Sequence, residues 1–191
     1  LSKGYILHVG GNAFYKNKLG VIEIYDQWAK DFKANVPLIL VGESPSEELM
    51  FFKEKSIVSK SIYFITNSND FQLQQFYQGA SVMVFPSLYE GFGWPIVEAM
   101  ASGSLVITTD EDPMKEVAGD AGFYIPKKIF NSEEIEKWKS ISAKELEKVM
   151  QLTTEESMIA IQKSILRSKE FTAQSFVNSI ENVYKQILLN K

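Results

Sequence analysis

The chain has 191 residues, a net charge of −4 at pH 7 and no cysteine. That length fits one domain, or one domain with an appendage; the acid excess argues against a nucleic-acid partner, and the absence of thiols excludes disulfides and thiolate chemistry. No apolar run approaches the roughly 20 residues that span a bilayer, and there is no signal peptide, so no transmembrane segment and a cytoplasmic location are expected.

Tyr5–Val9 reads as a buried strand ended by Gly10-Gly11, with only Leu1–Gly4 before it. So abrupt a start is expected of a domain cut from a longer protein. The loop Asn12–Asn17 carries Lys16. Helical spacing runs over Leu19–Phe32, through Leu19, Ile22, Tyr25 (or Asp26) and Ala29. Pro37–Val41 is a second strand, stopped by Gly42. Ser46 opens a helix with Glu47 and Glu48 in its first turn and Leu49 to Phe52 on the apolar side. Ile62–Ile65 is a third strand. Asp70 is expected to cap the next helix, which buries Phe71 or Leu73, Phe76 and Tyr77 and closes near Gly79.

Val82–Phe85 is a fourth strand, followed by Pro86-Ser87, Glu90, the turn Gly91-Phe92-Gly93 and a helix over Pro95–Ser102 that stops at Gly103. Leu105–Thr108 is a fifth strand and Phe123–Ile125 a sixth, with a short helical piece opened by Asp112-Pro113 between them. After Pro126 the composition changes to Lys, Glu, Ser and Ile, with no Gly or Pro from Ser132 onward. Two or three amphipathic helices are expected there, at about Ser132–Met150, Thr154–Lys169 and Thr172–Leu189. Residues 1–126 thus read as a doubly wound, Rossmann-like α/β core with a mostly parallel six-stranded sheet. Residues 127–191 read as a helical tail packed on the same domain.

In such a sheet ligands bind beyond the carboxyl ends of the strands. Three loops leave those ends: Gly10–Asn17, Thr66–Asp70 and Ser87–Gly93. Lys16 offers a point charge for a phosphate, and the helix after Gly93 offers free N–H groups and a partial positive charge. Glu90 and Glu98, eight positions apart, can accept hydrogen bonds from hydroxyls. This combination suits a ligand with both hydroxyls and phosphate. Each part also has a plainer reading: a tight connection, a surface lysine, an acid favoured near a helix start. His8, the only histidine, lies in an apolar strand and reads as a core residue. Asp110-Glu111-Asp112 has the look of an Asp-x-Asp metal site but reads as a solvated, helix-capping loop, so no metal is expected.

Phe85–Gly103, FPSLYEGFGWPIVEAMASG, closely resembles the signature of retaining GT-B glycosyltransferases of family four, the glycosyl transferases group 1 set. Ile62–Thr66 with Asp70, Leu73, Tyr77 and Ala80 is similar to the family's strand, loop and helix before the signature. Pro113–Ile125, Tyr5–Asn17, Phe171-Thr172 and Val183-Tyr184 resemble its other segments. The resemblance implies one half of a GT-B enzyme, the donor-binding half, with the N-terminal acceptor half absent from these residues. It implies Glu90 and Lys16 as the catalytic pair, beside the donor sugar and the diphosphate respectively. It implies donor contacts from Glu98 to the ribose, from Gly91, Phe92 and Gly93 to sugar and diphosphate, from Gly10 and Gly11 in the phosphate loop, and from Ile65 and Thr66 beside the base.

The implied reaction is metal-independent, α-retaining transfer from a UDP- or GDP-sugar to a saccharide or lipid-linked glycan. No cofactor is needed, since the nucleotide sugar is a substrate. Peripheral membrane contact would come through the absent half. Three departures stand out: Gly11-Asn12 where many members carry an arginine, Thr66 in place of a glycine, and Trp94 in place of a smaller apolar residue. A non-catalytic nucleotide-binding module and a GT-B epimerase or phosphorylase are the alternatives. A flavodoxin-like receiver would need acids at the first strand's end, where this chain has Gly10-Gly11.

Overall fold

The computed structural model describes residues 4–33 and 36–189. Leu1, Ser2 and Lys3, part of the abrupt start noted above, lie outside the described residues. Six strands form one sheet: β1 (Ile6–Gly10), β2 (Leu38–Gly42), β3 (Ile62–Ile65), β4 (Val82–Phe85), β5 (Leu105–Thr109) and β6 (Phe123–Ile125). Their order is β3-β2-β1-β4-β5-β6, and every pairing is parallel. The strands are short, near-continuous apolar runs because helices cover both faces.

Alternation along the strands divides the core. Ile6, Leu38, Leu40, Val82, Val84, Leu105 and Ile107 face α1 (Lys18–Phe32) and α6 (Ser132–Met150), with Leu49 of α2 (Glu47–Lys55) on the same side. Leu7, Val41, Met83, Phe85 and Val106 face α3 (Asp70–Gly79), α4 (Trp94–Ala101) and α5 (Met114–Ala118). Each such aliphatic side chain, taken fully from water, contributes about 1.5–3 kcal/mol. α6 is fastened to α1 by Trp28 Nε1, which donates to Glu147 Oε2 at 2.7 Å. Trp138 Nε1 donates to Pro126 O, also at 2.7 Å.

The expected strands and helices are present with ends moved by a residue or so. Three details differ. Asn69, rather than Asp70, caps α3: its side chain accepts from Gln72 N while Gln72 returns the bond to Asn69 N. Asp70 has no such reciprocal partner three residues on, because that position is Leu73. In α2, Leu49 is buried and Phe52 half-buried but Met50 and Phe51 are exposed, so two of the four apolar residues turn inward. In α3, Phe71 is exposed and Leu73 packs inward.

The tail is uneven. α7 (Thr154–Ser168) packs against α4 and the turn Gly119–Ala121, where Arg167 Nε donates to Val117 O at 3.1 Å. α8 (Ala173–Leu189) has no buried residue, and Phe176, Ile180, Val183 and Ile187 all stand exposed. The expectation of a helical tail packed on the same domain therefore does not extend to the apolar stripe of α8. Its stripe has no partner among the described residues.

Candidate functional site

The chain builds β2 and β3 to one side of β1, then crosses to the other side for β4, β5 and β6. Between β1 and β4 the winding reverses, and the connections leaving these two strands diverge to leave a crevice. Lys16 is on the loop after β1 and Glu90 on the loop after β4. They meet there: Lys16 Nζ donates to Glu90 Oε1 and Oε2, both at 2.8 Å. The Glu90 side chain is 7% exposed and that of Lys16 is 20% exposed. The ammonium also lies 5.3 Å from the centre of the Tyr15 ring and 5.8 Å from that of Phe85.

Further bonds lace the two loops together. Leu88 N donates to Tyr15 O at 2.7 Å, and Asn17 Nδ2 donates to Pro86 O at 2.9 Å. Asn17 sits at φ 50, in the left-handed region. Its amide packs so closely under Gly20 that a Cβ there would fall 2.5 Å from it. From the other side, Thr108 Oγ1 donates to Phe85 O at 2.9 Å and Thr109 Oγ1 to Ser87 O at 2.7 Å. The loop carrying Glu90 is thus held from both neighbouring strands.

The glycine turn ends at Gly93, whose φ of +104 favours glycine, and α4 begins with Trp94 and Pro95. No side chain caps this helix start. The positive end of its dipole lies at the carboxyl end of β4, which suits an anion, although Pro95 carries no N–H and Ile96 N already donates to Gly93 O at 2.9 Å. Glu98, farther along α4, is exposed, and its Oε2 accepts from the Tyr77 hydroxyl of α3 at 2.7 Å. Phe92 packs on Trp94 at 4.9 Å and edge-on to Phe171 at 5.5 Å.

Gly10 and Gly11 are close-approach positions. A Cβ on Gly10 would stand 3.2 Å from His8 Nε2, and one on Gly11 would stand 3.0 Å from Glu43 Oε1. After Gly10, where many members of the resembled family carry an arginine, the loop is held by Asn12. Its N–H donates to Glu43 Oε2 at 2.9 Å and its Nδ2 to Ser44 O at 2.6 Å. Its Oδ1 accepts from Lys18 Nζ at 2.8 Å. Lys18 is only 4% exposed, and burial pushes its pKa down against the pull of the Glu43 carboxylate.

Ile65 and Thr66 leave the same edge of the sheet but do not join the Lys16–Glu90 cluster. β2 and β1 lie between β3 and β4, a separation of about 14 Å at the usual strand spacing. They line a separate cavity of about 330 Å³ with Asn67, Ser68 and Gln72. His8 is a core residue: Nδ1 donates to Val84 O at 3.0 Å and burial lowers its pKa to about 4. In the acidic loop, Asp110 pairs with Lys115 at 2.8 Å and Glu111 with Lys127 at 2.9 Å. Asp112 Oδ1 accepts from Glu116 N at 3.2 Å, a helix-start bond.

Sequence reasoning gave Asn12, Asn17, Lys18 and Tyr77 no role of their own at the site. Lys18 carried a signal, a charge placed among the apolar positions of α1. The others depend on partners distant in the chain.

The family model for glycosyl transferases group 1 matches residues 2–156. O-antigen chain mannosyltransferase B of Escherichia coli is 29% identical over 185 residues, which are 96% of this chain and 46% of that protein. Among solved structures, a glycosyltransferase of Rickettsia africae ESF-5 superposes with a TM-score of 0.80 at 17% identity, over 100% of this chain and 49% of that one. The Anabaena protein Alr3699/HepE, solved with UDP and glucose, gives 0.78 at 19% identity, over 96% and 48%. This chain spans under half the length of the E. coli relative.

Proposed function

The chain belongs to the glycosyl transferases group 1 family, and on that premise we propose that it is the nucleotide-sugar-binding half of an α-retaining glycosyltransferase. The acceptor is a saccharide or lipid-linked glycan. The name of the E. coli relative supports a mannosyl residue as the sugar and polysaccharide assembly as the setting. The UDP and glucose bound by the Anabaena neighbour support a nucleoside-diphosphate sugar as the donor class.

The observation that carries this reading is the Lys16–Glu90 pair at the β1/β4 crevice, beside the uncapped start of α4. Sugar transfer breaks the bond between the anomeric carbon and the diphosphate oxygen. The electron pair leaves with the diphosphate while the acceptor's hydroxyl oxygen bonds to the same face of the anomeric carbon and its proton passes to the departing diphosphate oxygen. Positive potential fixed on the leaving group lowers the barrier. Without donor, Glu90 neutralises Lys16. An arriving diphosphate takes the ammonium and the amides of the Gly91–Gly93 turn before α4, and releases the Glu90 carboxylate to accept from the donor sugar's hydroxyls. One exchange of partners thus readies both side chains. Ile65 and Thr66, about 14 Å across the sheet edge, stand where the base of an extended nucleotide would reach. The acceptor is bound by the rest of a longer polypeptide, so these 191 residues alone bind donor without turnover.

Calorimetric titration with UDP, GDP and ADP, then with their sugars, tests the binding half of this reading. One nucleotide is expected to bind selectively, and its affinity is expected to fall at least tenfold in Lys16→Ala. In the full-length polypeptide, Glu90→Gln is expected to reduce transfer by two orders of magnitude or more. Binding of no nucleotide, or unchanged transfer in both variants, would overturn the assignment in favour of a non-catalytic module.

A further inference from the structure

Tyr77 is 2% exposed, yet its hydroxyl reaches the exposed carboxylate of Glu98, the one side-chain partner of either group among the described residues. The phenol is held in place by an anchored helix end. Tyr5 Oη donates to Phe76 O at 2.8 Å, and Ser104 Oγ donates to Tyr77 O. The first takes up a carbonyl that the last turn of α3 would otherwise leave unpaired, and the second adds to the bond that Tyr77 O accepts from Ala80 N at 3.3 Å. Tyr5 precedes β1 and Ser104 precedes β5, so α3 is pinned to two strands of the sheet. Gly79 permits this fit, because a Cβ there would lie 2.6 Å from the Tyr5 hydroxyl. Burial first, then the Glu98 charge, raises the Tyr77 pKa, so the phenol keeps its proton and remains a donor.

A fixed donor on one oxygen of an exposed carboxylate restricts its rotation and leaves the other oxygen turned to solvent. Resting on the nucleotide-sugar reading above, we propose that Tyr77 is a positioning residue for nucleotide recognition: it holds Glu98 Oε2 so that Oε1 accepts from a ribose hydroxyl. The discrimination between ribose and deoxyribose nucleotides then comes from the Tyr77–Glu98 unit rather than from Glu98 alone. A glutamate that served only to satisfy a buried phenol would give no such discrimination.

The test uses the full-length polypeptide and Tyr77→Phe, which removes one oxygen and keeps the ring. Calorimetry compares UDP and GDP with their 2′-deoxy and 3′-deoxy counterparts. Wild type is expected to prefer the ribose form of the nucleotide it binds by about tenfold or more, the worth of a hydrogen bond to a charged group. In Tyr77→Phe that preference is expected to fall to about threefold, with KM for the donor raised and kcat unchanged, as for an interaction present equally in ground and transition states. An unchanged preference in Tyr77→Phe overturns the proposal and leaves the ribose role of Glu98 standing. No preference in wild type overturns both. If Tyr77→Phe does not fold, wild type labelled with 13Cζ-tyrosine answers instead. The Tyr77 signal, identified by its displacement in Glu98→Ala, is expected to shift with the ribose nucleotide and not with its deoxy forms. An equal response to both refutes the assignment.

Discussion

Lys16→Met in the ligand-free protein isolates the electrostatic part of the crevice. Methionine keeps an apolar stem against Phe85 and Tyr15 but removes the ammonium 2.8 Å from both Glu90 oxygens. The Glu90 side chain, 7% exposed, then loses its cation where water scarcely reaches. A hydrogen bond to a charged group contributes about 1.5–3 kcal/mol, and the 20% exposure of Lys16 calls for a discount for screening. A loss of about 2 kcal/mol follows, or about 4–8 °C in Tm for a domain of this size. Glu90→Gln leaves the more exposed Lys16 beside a neutral acceptor and is expected to lose about half as much. The double variant removes both charges and is expected to be more stable than the sum of the single losses by about 1 kcal/mol. Urea unfolding followed by tryptophan fluorescence gives these values if the slope is constant across the four proteins. A loss under about 0.5 kcal/mol in Lys16→Met, with additive singles, would show that no such pair forms in the ligand-free protein.

Three further outcomes are expected. His8 is held at about 4 against 6.5 unfolded, so the unfolded chain binds more protons between these values and stability falls as pH drops from 6.5 toward 4. Relative to His8→Asn, wild type should lose about 2 kcal/mol between pH 7.5 and 5, and parallel stability profiles would refute this. Gly42→Ala places a Cβ 2.2 Å from Gly10 O at φ +143 and is expected to cost at least about 2 kcal/mol, whereas Gly91→Ala, with nothing within 4 Å, should unfold within about 0.5 kcal/mol of wild type in the same titration. Trp138→Ala removes a ring that is buried against the α1 face and bonded to Pro126 O, and a loss of about 3–5 kcal/mol in the same assay is expected.

Periodicity made the layers legible, because each strand is an apolar run and each core helix shows an apolar face. It does not choose between adjacent capping residues. Asn69 prevailed over Asp70 because only Asn69 has Gln72 three residues on to complete the reciprocal bond. In α8 the pattern did announce an amphipathic helix, but amphipathicity says only that a face can be buried, not by what. At the site, residue types and the glycine turn marked Lys16, Glu90 and Glu98. Their partnerships were invisible because they cross the chain: Glu98 meets Tyr77 from the preceding helix, and Lys16 meets Glu90 across the β1–β4 seam. The arginine-free loop was visible as a departure. The Asn12–Lys18–Glu43 network that holds it could be read only with β2 in place beside β1.

That β1–β4 seam also governs how the molecule comes together. Lys16 and Glu90 are separated by 74 positions in sequence, and Leu7 must register with Met83 before they can meet. β2 and β3 can pair on the first flank of β1 without any of this. Closing so long a loop costs entropy before its contacts repay it, so parallel pairings of this kind form slowly. During synthesis, a chain whose ribosome has not yet released residue 90 has half a sheet and an unpaired lysine loop. The Lys16–Glu90 pair therefore forms in one step, with the docking of β4, and is lost in one step when that strand leaves.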